Sequence, residues 1–339
     1  MLFATITTIQ SPTSSVYQLV SRLVESDSTL IIAGDTKGPP DFRPSEDRDW
    51  PVIFLSIEDQ MSSPYLLASD LPTKHYARKN IAYLEAIQSG ATCIYETDDD
   101  NAPNEVWAPR EEVIGDCRVL GESAPRWVNV YGYFSEENIW PRGLPLDEIR
   151  KELPSIQNVD RSRRAPVQQG LVDGSPDVDA IWRLVMDREF RFDQGKSVYL
   201  EPGNWCPFNT QSTWWWPLAF PLLYIPSYCS FRMCDIWKSF VAQRCLWAMD
   251  LGVAFHSPEV NQERNYHDLN RDFSDEIPGY EQNRKIAEIL DQTELSPSEQ
   301  SVGANLKHCY ERLVEAEIFP EKELALVDAW LSDLASLKS

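Results

Sequence analysis

The chain has 339 residues, 42% of them hydrophobic and 25% charged, enough for an ample core in one large or two ordinary domains. Its formal net charge of −22 excludes a broad nucleic-acid-binding face, so a phosphorylated ligand would need local basic residues and a metal. Seven cysteines, odd in number and without a regular framework, read as reduced thiols, and Cys229 and Cys234 lack the histidine spacing of a zinc site.

In chain order, residues 2–8 read as a strand and 14–25 as a helix capped by serines. A second strand at 28–33 runs into the loop GDTKGPPD, and a third follows at 52–55. The pattern over 76–88 predicts a helix that stops at Gly90, followed by a short apolar strand at 92–95. Strands alternating with helices imply an α/β fold with a mostly parallel, Rossmann-like central sheet and right-handed crossovers. Residues 106–198 read as short strands and loops, and 205–226 is dense in Trp and Pro. Helices are expected at 232–251, 285–295, 303–316 and 321–337. The last three form a C-terminal helical appendage (274–339) on a catalytic domain (1–273). No basic segment precedes an apolar run at the N-terminus, and no apolar stretch reaches about 18 residues. The expectation is a soluble cytoplasmic protein with no membrane span, or a Golgi-lumen one if an anchor is missing from this sequence.

The strongest chemical signal is Asp98-Asp99-Asp100, directly after the fourth predicted strand. Carboxylates crowded at the end of a buried strand are costly unless a cation sits on them, and ligands of open α/β sheets bind just past such strand ends. This is the DXD pattern: Asp98 on the metal or a ribose, Asp99 beside the nucleotide sugar, Asp100 on Mn²⁺ or Mg²⁺, since hard oxygen ligands suit these ions. A solvated acidic loop is the plain alternative. Asp35 and Lys37 follow the second strand and suit recognition of a base or ribose and of phosphate, or a charged turn. Arg78, Lys79 and Asn80 open a helix, where backbone N–H groups favour phosphate. Arg142, between Pro141 and Gly143, is placed as an anion clamp. His256 ends an apolar run and can close a metal shell or serve as a satisfied structural residue. Asp235 heads a long helix, either as a general base for an incoming hydroxyl or as a helix-start carboxylate. Trp205 with Trp214–Trp216, Asn209 and Gln211 combine flat faces and amides that suit a sugar ring, or form a core seam.

Five segments resemble the family of the plant STELLO proteins: RKNIAYLEAIQSGATCIYETDDDN from Arg78, IWPRGLPLDEI from Ile139, QQGLVDGSPDVDAIWRL from Gln168, WCPFNTQST from Trp205 and RMCDIWKSFVAQRCLW from Arg232. A further stretch follows from Phe255, and the similarity covers roughly residues 1–280. The resemblance implies a GT-A fold and a metal-dependent glycosyltransferase that moves a sugar from a nucleotide diphosphate, here UDP, to a glycan or other hydroxyl acceptor. It also implies that His256 is the late metal ligand of that fold. A more distant similarity, through Arg142-Gly143-Leu144-Pro145 and Cys234-Asp235-Ile236-Trp237, is to the reversibly glycosylated polypeptides, which are UDP-arabinopyranose mutases. It implies the alternative of a mutase glycosylated on Arg142. Association of STELLO proteins with cellulose synthase assembly implies a third reading, a nonenzymatic regulator of other glycosyltransferases.

Overall fold

The computed structural model describes residues 1–44, 49–123, 125–263 and 268–337. Four strands, β1 (Leu2–Thr8), β2 (Thr29–Gly34), β3 (Val52–Leu55) and β4 (Cys93–Thr97), pair in the order β3-β2-β1-β4, all parallel. Side chains alternate between the two faces of a strand. Thus Phe3, Ile31, Ala33 and Ile94 enter one core, while Ala4, Ile6, Leu30, Ile32 and Tyr95 enter the other. The first core is covered by α4 (Lys79–Gln88) and the second by α1 (Ser14–Glu25). Helix α1 is capped by the Thr13 hydroxyl, which accepts from Val16 N, and it buries Val16, Leu19, Val20 and Leu23 at helical spacing. Each such fully buried side chain contributes about 1.5–3 kcal/mol. Two short helices, α2 (Ile57–Ser62) and α3 (Leu66–Asp70), precede α4 and are not evident in the sequence pattern.

The rest of the sheet is mixed. It comprises β5 (Asn101–Pro103), β6 (Cys117–Leu120), β7 (Gln157–Val159), β8 (Val167–Gly174), β9 (Val198–Leu200), β10 (Ser212–Trp215) and β11 (Val253–Gln262). Beyond β4 the order is β10-β8-β11-β9-β6-β7, with β5 on the far end of β11, giving eleven strands among the described residues. The antiparallel β10 links the parallel half to the rest. Its Trp214 and Trp215 face opposite cores, and their indole N–H groups donate to the buried carboxylates of Glu259 and Glu96.

Helix α5 (Ala180–Met186) packs on α7 (Leu269–Asp291), and α6 (Cys234–Trp247) packs on α7 and α8 (Val302–Glu315). The expected boundary at 273/274 falls inside α7. That helix begins sixteen residues before the expected 285, is capped by Asp268, and carries Pro278 within it. Gly279 sits against the Met233 sulfur, so a Cβ there would make the methionine side chain shift. Helix α9 (Lys322–Leu337) docks Asp333 onto the N-terminal N–H groups of Leu66 and Leu67 in α3. Ile286, Leu306, Tyr310 and Trp330 belong to the same core cluster as the sheet residues Phe3 and Ile94, so the C-terminal helices complete the core. Among the described residues no helix is long and apolar enough to cross a membrane.

Candidate active site

Because β1, β2 and β4 are parallel and in register, their carboxyl ends lie along one edge. A cavity of about 880 Å³ opens there. At one end it is lined by Thr8 at the end of β1, Asp35 and Lys37 after β2, and Asp98–Asp100 after β4; at the other by Arg142, Asp177 and Asp235.

The triplet fans out. The Tyr76 hydroxyl donates to Asp98 Oδ1 at 2.5 Å and accepts from the Lys79 ammonium at 2.8 Å, while Lys79 also reaches Asp98 Oδ1 at 3.1 Å. Lys79 is fully buried, so it lies as a counter-charge beneath the loop. Asp99 accepts from the Thr8 hydroxyl, and Asp100 Oδ2 accepts from Gln262 Nε2 at 3.0 Å. Burial, reinforced by the neighbouring Asp98, pushes the Asp100 carboxyl up to about 6, and burial also raises Asp99.

Among the described residues no three His, Cys, Asp or Glu side chains form a ready-made metal cage. Mg²⁺-type sites do not require one: they use one or two carboxylates and complete their shell with substrate phosphates and water. The oxygen donors of Asp98 and Asp100 fit such an ion. His256 does not join them. The triplet meets the strand that carries His256 at its far end, where Gln262 bonds Asp100, and the six residues from His256 to Gln262 span roughly 20 Å of extended strand. Its ring is buried, with Nδ1 2.6 Å from the Ser197 hydroxyl and Nε2 2.9 Å from Gln168 Oε1. The Gln168 amide nitrogen points at backbone carbonyls, which assigns its oxygen to the histidine and the imidazole proton to Nε2. Burial, with Arg110 nearby, holds the imidazole well below its ordinary pKa, neutral and structural.

At the other end, Arg142 directs all five N–H groups to fixed acceptors. Nε and Nη2 hold Asp177 at 2.7 Å each, Nη2 and Nη1 hold Asp235 at 2.7 and 2.9 Å, and Nη1 also donates to Arg232 O. Burial opposes the charge, yet the two carboxylates raise the guanidinium well above its usual pKa. An anion clamp needs unspoken-for donors, so the expected role of Arg142 gives way to a structural one. Asp235, with both oxygens on Arg142, is likewise a partner in this clamp rather than a base poised for a proton.

Other expected residues are placed elsewhere. Arg78 is buried against Gln60 Oε1 and the carbonyls of Ala68 and Leu71. Asn80 pairs through its amide with the backbone of Ile225. Trp205 is 1% exposed and packed 4.2 Å from Trp247, so it belongs to the core seam. Asn209 is buried and holds Gln169 and the Gln211 backbone. Gln211 does line the cavity, bonded to Gln262 at 2.9 Å. Asp35 lines it too, but its carboxylate accepts from the backbone N–H groups of Thr36, Lys74 and His75, fixing the loop before α4. Lys37 is exposed at the rim. Sequence reasoning missed Tyr76, Thr8, Gln262 and Asp177. Tyr76 stands at the start of the predicted helix, and Asp177 lies inside the segment from Gln168, but neither pattern shows what it faces.

Fold and cavity together define an α/β protein with a cavity past the carboxyl ends of parallel strands, flanked by an acidic loop, the place where such sheets bind ligands. Residues 232–339 match the family model of the STELLO glycosyltransferases. The chain is 31% identical over 248 residues to "Probable glycosyltransferase STELLO2" of Arabidopsis thaliana, covering 63% of this chain and 31% of that protein. It is 30% identical over 248 residues to "Probable glycosyltransferase STELLO1" of the same plant. The resemblance read from the sequence is thereby borne out, and the chain spans about a third (31%) of the length of these curated relatives. Among solved structures, glucosyl-3-phosphoglycerate synthase from Mycobacterium tuberculosis in complex with phosphoglyceric acid is 7% identical, with a TM-score of 0.39 over 85% of this chain and 77% of that one.

Proposed function

We propose that this chain is a glycosyltransferase that takes a UDP-sugar at the β1-β2-β4 end of the cavity and passes the sugar to a hydroxyl acceptor. The observation that carries the reading is the convergence of Thr8, Asp35 and Asp98–Asp100 on one cavity past three parallel strand ends. Asp98 and Asp100 would hold Mn²⁺ or Mg²⁺, which when bound neutralises charge on the leaving diphosphate. Lys79 and Tyr76 fix the orientation of Asp98, and Lys37 and Lys74 at the cavity wall favour the phosphates. In transfer, the acceptor oxygen bonds the anomeric carbon as the bond from that carbon to the diphosphate oxygen breaks. The hydroxyl proton ends on the released nucleoside diphosphate or on solvent.

The mutase alternative needs a guanidinium nitrogen with a lone pair to attack the sugar. Arg142, fully hydrogen-bonded and held charged by two carboxylates, does not offer one.

Thermal shift with UDP and Mn²⁺ tests the reading. The wild type should gain melting temperature with both together, by preferential binding to the folded state. Asp100→Ala should fold, lose that gain and lose transfer. An unchanged shift and full transfer in Asp100→Ala would remove the metal-site assignment.

A further inference from the structure

We propose that the exposed face of Phe231 is the acceptor subsite of this cavity and that it takes a neutral saccharide ring. The proposal rests on the donor reading above and adds the chemical class of the second substrate.

Phe231 lines the cavity yet is 56% exposed, against 1% and 0% for Trp205 and Trp215. Its ring stands edge-on to Tyr76, with centroids 5.9 Å apart and planes at 82°, and the Tyr76 hydroxyl touches Asp98. An open aromatic face therefore lies one side chain away from the donor end.

The backbone that carries Phe231 is fixed on both sides. The Ser230 hydroxyl donates to Asp275 O, and the Arg232 guanidinium holds Glu276 at 2.7 and 3.0 Å. The Cys234 thiol donates to Phe231 O at 3.1 Å. The face is thus preorganised, so binding there does not first have to order a loop. A flat apolar ring of this kind complements the C–H face of a pyranose, the role the sequence suggested for the tryptophans.

Charge decides the class of ring. Arg142 and Arg232, which line the cavity with Phe231, are already matched by Asp177, Asp235 and Glu276. Helix α7 adds Asp272 and Asp275 to the same wall, with Arg271 3.7 Å from Asp275. Among the described residues of this wall Arg142, Arg232 and Arg271 each already face a carboxylate, so an anionic sugar meets acidic side chains there that a neutral ring does not.

The test uses the full chain with Mn²⁺ and UDP, and saturation-transfer NMR on two sets of probes: neutral methyl pyranosides (glucoside, galactoside, mannoside, xyloside) and the hexuronic acids glucuronate and galacturonate. Calorimetric UDP affinity is measured on the same samples. At least one neutral pyranoside should receive saturation and both uronates should not. Phe231→Ala should reduce that signal at least fivefold while leaving UDP affinity within twofold, and Phe231→Trp should retain it. With UDP bound, equal saturation of the uronates, or an undiminished signal in Phe231→Ala, overturns the subsite and leaves the donor reading standing. Failure of the wild type to bind UDP overturns both.

Discussion

Arg142→Ala removes the cation that hydrogen-bonds two buried carboxylates. The three side chains are 6–8% exposed, and four of the five Arg142 N–H groups go to Asp177 and Asp235. Breaking a buried ion pair by deleting one partner costs about 3–5 kcal/mol, because the other charge stays buried without compensation. Both carboxylates lose their hydrogen-bonded partner while Arg232 and Arg183 still act on Asp177, so a loss within that range, about 3–5 kcal/mol, is expected, against a total stability of about 5–15 kcal/mol. Urea unfolding followed by tryptophan fluorescence at neutral pH reads it. The loss should shrink on acidification. In the wild type, burial opposes ionisation of Asp177, but Arg142 wins and holds that carboxyl below its ordinary value. The stability it contributes is therefore complete above the unfolded value of about 3.9 and is lost only as pH falls through the lower folded one. In the variant burial is no longer offset by Arg142, so Asp177 binds a proton more readily than in the unfolded chain and stability recovers as pH falls from 7 toward about 4. The triple variant Arg142→Met, Asp177→Asn, Asp235→Asn should recover most of the loss, because no charge is left stranded. A single variant within 1 kcal/mol of wild type, or a loss independent of pH, would refute the description of this cluster as a tightly coupled structural clamp.

Two further variants probe the donor end. Tyr76→Phe deletes one hydroxyl that both orients Asp98 and accepts from Lys79. It should fold normally and weaken UDP–Mn²⁺ affinity about five- to tenfold by calorimetry, the equivalent of one hydrogen bond of roughly 1–1.5 kcal/mol. His256→Ala leaves Gln168 and Ser197 without their partner and opens a cavity. It should lower stability by about 2–4 kcal/mol yet leave UDP–Mn²⁺ affinity unchanged, because the ring is not a ligand.

The parallel half of the sheet was legible because its signals are local. Apolar runs at β1, β2 and β4 alternate with α1 and α4, and each is bounded by a cap or glycine. The position of Asp98–Asp100 followed from the same pattern: the end of a buried parallel strand is where a ligand site forms. What was not legible depends on partners far apart in sequence. Nothing near Arg142 indicates that Asp177 and Asp235, 35 and 93 residues away, take all but one of its N–H groups. His256 sits at a suitable place in a strand, but the triplet loop meets that strand at Gln262, six residues beyond the histidine, a pairing with no local signal. The tryptophans read as candidate sugar platforms because composition cannot separate a core seam from an exposed face. The early start of α7 was not legible because the helix runs through Pro278 and Gly279, residues that disfavour a helix interior. The exposed aromatic that the site does offer, Phe231, stands alone in its segment and gives no periodic signal.

The most direct measurement is a crystal structure of the chain grown with Mn²⁺ and UDP. The account predicts a diphosphate against Asp98 and Asp100, the nucleoside toward Asp35 and Lys37, and His256 still bonded to Ser197 and Gln168. A nucleotide bound away from the β1-β2-β4 edge, or none at saturating concentration, would contradict it.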